Sequence, residues 1–275
     1  MHVRLLPLSL GILSVATIVP GQAPPTKPPT TIGDGGLHPV IRRPDGGANG
    51  PMQSIFIPPK PGAPFNLTLD SEWSRPMENG GTFTVVNERH IVRDSKGRIY
   101  QERWILVPKG GKIKSQMNVF QITDPEQHTW LNCEVRTKVC ELLRYALTNE
   151  QNYQPLIGRT GPLPNGTGYR LHEDLGPNVT LGIDTHGYRE TRTIYAGEMG
   201  NDKPMVSVRE FWYSPQLGIN LISIVDEPQS GRQVFTVKEI STAEPDLGYF
   251  DVPEGYKIVD HRHEIAEQEP PPGAR

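Results

Sequence analysis

The stretch from Met205 to Asp260 most constrains what this chain can fold into. It reads as three strand-like runs cut by turns and closed by a short capped segment. Met205 to Tyr213 lies between Pro204 and the Ser214-Pro215 turn and is rich in β-branched and aromatic residues, with Val206, Val208 and Trp212 on one face. Ile219 to Asp226 follows, stopped by Pro228 and Gly231, and then Gln233 to Ser241, whose alternate Phe235 and Val237 extend an apolar face. Connections this short predict an antiparallel meander. Glu244-Pro245-Asp246 then reads as the start of one helical turn, and Tyr256 to Val259 as a last strand.

The same pattern recurs upstream. Thr82 to Arg93 and Arg98 to Val107 form the clearest hairpin, joined by Asp94-Ser95-Lys96-Gly97 with Gly where a positive φ is needed. Further strands are expected over Val119 to Thr123, Thr129 to Val135, Val139 to Leu143, Val179 to Ile183 and Tyr188 to Ala196. A weak helical pattern covers Glu150 to Leu156 within the loop-like stretch from Arg144 to Gly168. About ten short strands with little helix predict an all-β to α+β class, one antiparallel, strongly curved sheet or half-barrel. Phe65 to Asp260 bounds that domain.

Outside it, Met1 to Gly21 has Arg4 and then an apolar run from Leu5 to Val19, the pattern of a secretory signal peptide cleaved after Gly21. An uncleaved anchor is the alternative, though the run falls short of the roughly 20 residues of a spanning helix. No second run would cross a bilayer, so no transmembrane span is expected once the signal is removed. Residues 22–64 are crowded with Pro and Gly and are read as a tether. Within them Ser54 to Ile57 is a candidate edge strand. Residues 261–275, acidic and then Pro-rich, are read as a disordered tail. A net charge of −3 and a pI of 6.3 make no electrostatic case for nucleic acid or an anionic membrane surface.

Export favours oxidation of the two cysteines, Cys133 and Cys140. They flank the polar break Arg136-Thr137-Lys138, so a tight hairpin would bring both sulfurs together and close a small loop, stabilising it by about 2–3 kcal/mol. Two reduced structural thiols and a redox pair are the other readings, the last lacking the C-x-x-C spacing.

Chemistry is sparse. There is no G-x-S-x-G, no S-x-x-K set and no phosphate-binding glycine loop, so no catalytic residue and no cofactor is assigned. His261, His263 and Glu264 have metal-like clustering, but an exposed basic patch explains them as well. Glu126, Glu173 and Asp174 lack a partner at a spacing that fixes an acid/base pair. Charges on the strands, Arg89, Arg93, Glu102, Arg103, Arg189, Glu190, Arg192, Arg209 and Glu210, are read as a solvated face of cross-strand pairs, or alternatively as a groove for an anionic ligand. Trp104, Trp130, Val206, Val208, Trp212 and Phe235 line either a ligand cavity on a curved sheet or an ordinary core.

The run EFWYSPQLG, two further strands and PDLGYFDVPEGYKIV resemble the carboxy-terminal half of periplasmic proteins with the lipoprotein-carrier (LolA-like) fold. The VRDSKGRIYQERW and ITDPEQHTW segments also resemble uncharacterised secreted bacterial proteins. The resemblance implies an unfinished barrel closed by a latch, for which Asp246, Phe250, Pro253, Gly255 and Tyr256 stand at the matching positions. Carrier proteins have an amino-terminal amphipathic helix, and Asp70 to Glu78 is the candidate for it here. The resulting expectation is a periplasmic or extracellular, non-enzymatic protein holding a lipid or lipoprotein chain on its concave face. An interaction module for envelope proteins is the alternative, and a hydrolase without a recognisable motif the remotest.

Overall fold

A computed structural model describes residues 57–145 and 159–263. These all belong to the second of two units into which the chain divides, Met1–Gly36 and Leu37–Arg275. Strand after strand joins one sheet: β1 (Phe65–Pro76), β2 (Thr82–Arg93), β3 (Ile99–Trp104), β4 (Val107–Pro108), β5 (Met117–Asp124), β6 (Thr129–Glu134), β7 (Val139–Arg144), β8 (Gly161–Pro162), β9 (Gly168–Thr180), β10 (Ile183–Ile194), β11 (Met205–Ser214), β12 (Ile219–Glu227), β13 (Gly231–Ser241) and β14 (Lys257–Asp260). The predicted all-β class and single curled sheet are found, with fourteen strands among the described residues in place of about ten.

Its order is β14-β7-β6-β5-β3-β2-β1-β13-β12-β11-β10-β9-β8, with β4 paired to β2 off this path. Two meanders therefore meet side by side, the first running outward from β1 and the second returning so that β13 pairs with the free side of β1. Among the described residues every pairing is antiparallel but one, β14 on β7. Residues 242–256 carry the chain from β13 across the first meander to that edge.

Strand β1 is the seam of the two halves. Leu67, Leu69 and Ser71 alternate on one face as a strand demands and are all buried, so Asp70 to Pro76 is strand and not the amphipathic helix expected there. The run Val179 to Ile183 is likewise not a strand. Leu181 and Gly182, with φ of 52° and 77°, turn the β9–β10 hairpin in its middle. The predicted helical turn begins later, as a 3-10 turn over Leu247–Phe250 capped by the Asp246 carboxylate, which accepts from Gly248 N. The signal segment, residues 54–56, the Glu150–Leu156 pattern and the tail beyond His263 lie outside the described residues.

Residues two apart share a face, so the registers divide the side chains into two sets. The core face carries Phe65, Leu67, Leu69, Val85, Ile91, Ile99, Leu221, Phe235 and Val237, joined in one cluster by Ile57 and Leu217. The opposite face, over the first meander, carries Val92, Phe120, Ile122, Cys133 and Cys140. Each fully buried aliphatic or aromatic side chain contributes about 1.5–3 kcal/mol, so the seam at β1 is the most strongly held part of the sheet.

Candidate functional site

Three distant segments meet at the β2–β3 turn. The Asp94 carboxylate closes that turn, accepting from Lys96 N, Arg98 N and Arg98 Nε. Gly97 takes φ of 87°, as its sequence position requires. One residue earlier, Arg93 turns inward and is fully buried. Its guanidinium donates to Ala63 O, Pro58 O and Leu217 O at 2.9, 2.8 and 2.6 Å and stacks on Phe65 at 4.5 Å. Burial pushes it down to about 9. Lys60 adds bonds to Pro215 O and Gln216 O, and Glu244 accepts from Ser95 N and Oγ. Ile57 and Ala63, at the end of the Pro/Gly-rich stretch, are thus buried in the fold. Arg89 and Arg93 are 5% and 0% exposed, which corrects their reading as members of a solvated face.

On the opposite face, the crossover is a strap. Phe250 is buried against this face, and Tyr249, Val252 and Tyr256 pack beside it over Val92, Tyr100, Phe120 and the disulfide. Aromatic edges carry the contact: Tyr249 stands 5.2 Å from His90 and 5.3 Å from Tyr100, Tyr256 stands 5.4 Å from Phe120, and Arg98 covers Phe250 at 4.4 Å. Asp246 caps the strap, while Pro253 and Gly255 turn it; Pro253 O accepts from Tyr256 N, and Gly255 has φ of 84°. Lys257 N then bonds Lys138 O and His261 N bonds Leu142 O, seating β14 on β7. Cys133 and Cys140 face each other across β6 and β7, Cα atoms 3.9 Å apart, and are disulfide-bonded beneath the strap.

The six side chains read as lining a cavity do not come together. Phe235 is in the central core cluster, and Trp130 packs with Leu143 and Tyr145 in a separate one. Trp212 lies over Gly187 and donates from Nε1 to Glu210 Oε1 at 3.0 Å. Trp104 makes the same bond to Glu102 Oε2 at 2.7 Å. Val206 is 46% exposed and Val208 half-buried, neighbours two apart on the face that Trp212 shares.

Sequence reasoning missed a polar row on the core face of the first meander. Gln101 donates to Gln121 at 3.1 Å and Gln121 to Asn132 at 2.9 Å, with Arg103 Nε also on Gln121 Oε1. Its one signal is a Gln at alternate positions of two neighbouring strands. The row opens into a depression of about 260 Å³ lined by Asn118, Val119, Asn132, Glu134, Thr137, Val139 and Glu141. These groups offer hydrogen bonds and two carboxylates, a lining suited to polypeptide donors more than to hydrocarbon.

Cross-strand ion pairing expected on the second meander is present: Arg189 meets Glu210 at 2.8 Å and Arg209 meets Glu227 at 3.1 Å. Asp174 on β9 pairs with His186 on β10, which holds the Asp174 carboxyl below its usual range, and Glu126 sits in an exposed turn. Among the described residues no group of three metal-ligating side chains includes His261 or His263. No helix among them is long and apolar enough to cross a membrane.

No family model matches the chain, and no curated protein does. Among solved structures it is similar to the MucA/MucB complex of Pseudomonas aeruginosa, at 13% identity over 69% of this chain and 56% of that one, with a TM-score of 0.34. It is also similar to a putative outer membrane lipoprotein-sorting protein domain from Vibrio parahaemolyticus, at 7% identity over 68% and 89% of the two chains and a TM-score of 0.24. A third is the lipoprotein LppX of Mycobacterium tuberculosis, at 12% identity, 68% and 90% coverage and a TM-score of 0.24. The chain spans between 56% and 60% of the MucB structures it matches. The lipoprotein-carrier resemblance read in the sequence recurs among these structures.

Proposed function

We propose that the chain is an exported, non-enzymatic binding protein of the bacterial envelope, and that its partner is another protein. The observation that carries this reading is where the aromatic residues go. Phe235, Trp130 and Phe250 are buried in three separate clusters and Trp212 is laid on a glycine, so the apolar surface a lipid pocket needs is used in packing. One depression that remains open is lined largely by polar groups, Asn132, Glu134 and Glu141 among them. The disulfide suits an oxidising compartment.

A second reading, a lipid or lipoprotein chain lying on the sheet, is favoured by one feature. Tyr169, Leu171 and Val206, on adjoining rows of β9 and β11, are 41%, 42% and 46% exposed. Native mass spectrometry of protein taken from its own envelope separates the two. A retained polypeptide without lipid supports the protein-partner reading, whereas a retained lipid and uptake of fluorescent acyl probes overturn it.

A further inference from the structure

Register places two arginines directly opposite each other on the core-side parity of β9 and β10, beside the carboxylates Glu190 and Glu227. Arg170 and Arg192 are directly opposed across β9 and β10, and Arg192 faces Ser207 across β10 and β11. One step along, Glu190 stands between His172 and Arg209 in the same way. Directly opposed side chains have Cβ atoms about 4.5–5.5 Å apart, and like charges so placed repel. Opposing these two arginines therefore costs stability in the free protein.

The available carboxylates leave this charge incompletely answered. Glu190 is shared: its Oε2 is 3.1 Å from His172 Nε2 and 3.7 Å from Arg170 Nε, the latter too long for a hydrogen bond. Arg170 Nε is buried and has no hydrogen-bond acceptor. Arg209 is held by Glu227 at 3.1 Å. Arg192 is exposed and makes no hydrogen bond or ion pair among the described residues. A buried N–H without an acceptor costs free energy, and the neighbouring guanidinium raises that cost, unless an external anion answers both.

We propose that Arg170 and Arg192, with Arg209 and His172 beside them, form a binding site for a phosphate-class oxyanion. Arginine is the side chain suited to it, since a planar guanidinium donates two parallel bonds to one tetrahedral anion. Two guanidinia side by side offer more donors than the one carboxylate shared between them can accept, and a phosphate group presents several acceptor oxygens to both. The oxyanion has two sources of the same chemistry, free phosphate or the phosphodiester of a lipid headgroup. The site goes beyond the protein-partner reading and does not depend on it.

The test uses the mature full-length protein with inorganic phosphate and pyrophosphate in calorimetry, and with phosphatidylglycerol or phosphatidylcholine vesicles in flotation. The site predicts saturable binding weakened by salt. Arg192→Gln lowers the affinity about tenfold or more without lowering Tm, because Arg192 makes no bond among the described residues and its removal relieves the repulsion from Arg170. Arg170→Gln weakens binding similarly and provides a second readout. Binding of the soluble anions assigns the free source, and binding confined to phosphatidylglycerol vesicles assigns the headgroup. Wild-type protein that binds neither, or an Arg192→Gln variant that binds as wild type, overturns the site. So does equal competition by a polyglutamate peptide, which would make it a surface for acidic protein.

Discussion

Arg93 Nη2 lies 2.6 Å from the carbonyl oxygen of Leu217, a residue 124 positions away in the β11–β12 turn. With its bonds to Pro58 O and Ala63 O, this one side chain ties together the entry segment, the first meander and the second. All three acceptors are backbone carbonyls, placed to fit a fork of donors and not a point charge.

Arg93→Leu therefore strands three buried carbonyls. It is expected to cost about 3–5 kcal/mol in urea unfolding. Arg93→Lys recovers little of that, since an ammonium cannot span the three acceptors. A lysine variant within about 1 kcal/mol of wild type would show that charge and not shape is what matters at this site.

The strap is expected to respond to loss of its buried anchor. Phe250→Ala removes a ring that is 8% exposed, at a cost of about 3–5 kcal/mol. Hydrogen exchange should then rise first in residues 246–260 and in β7. Asp246→Ala removes one cap bond and should cost about 1 kcal/mol.

Reduction of the Cys133–Cys140 disulfide should lower stability by about 2–3 kcal/mol, because it closes a small loop. Alkylation of unreduced, denatured protein should find no free thiol. Two titratable thiols would contradict the pairing.

His90 lies under the strap. Asn66 from β1, Tyr100 and Glu102 from β3 and Tyr249 from the strap surround it. Burial pushes its pKa down, opposed by the Glu102 charge. A histidine with a depressed folded pKa takes its proton first in the unfolded chain. Its contribution is therefore complete above the unfolded value of about 6.5 and is lost as pH falls from there toward the folded value. His90→Gln should flatten the unfolding free energy between pH 7 and 5, as read by chemical denaturation at each pH.

Much of the fold was legible where local chemistry and tertiary packing agree. The Asp94–Gly97 turn and the meander from Met205 to Ser241 were readable because glycine, proline and alternating apolar residues each mark the same boundaries. Strand β1 was hidden because Asp70, Glu72 and Pro76 disguise an alternation whose buried members include Ser71. The Val179–Ile183 run misled because Leu181, a β-compatible residue, takes φ of 52° in a two-residue turn. Arg93 was read as surface because arginine is seldom fully buried, and the carbonyls that make it possible come from segments 30 to 124 positions away. The disulfide was readable from hairpin spacing, whereas the separation of Trp130, Phe235 and Trp212 depends on which side of the sheet each strand turns. A one-residue shift of register reverses that.

Gly187 shows how closely the second meander is fitted. A Cβ there would stand 2.7 Å from the Trp212 ring. Gly187→Ala should move the ring, change tryptophan fluorescence and cost about 1–3 kcal/mol.

The protein-partner reading is tested most directly by a photo-crosslinking residue placed at Glu141, on the wall of the polar depression, in protein expressed in its own envelope. A discrete polypeptide adduct that is absent when the same group is placed at exposed Lys238 is the predicted result. Adducts to lipid alone, or identical products from both positions, would contradict it.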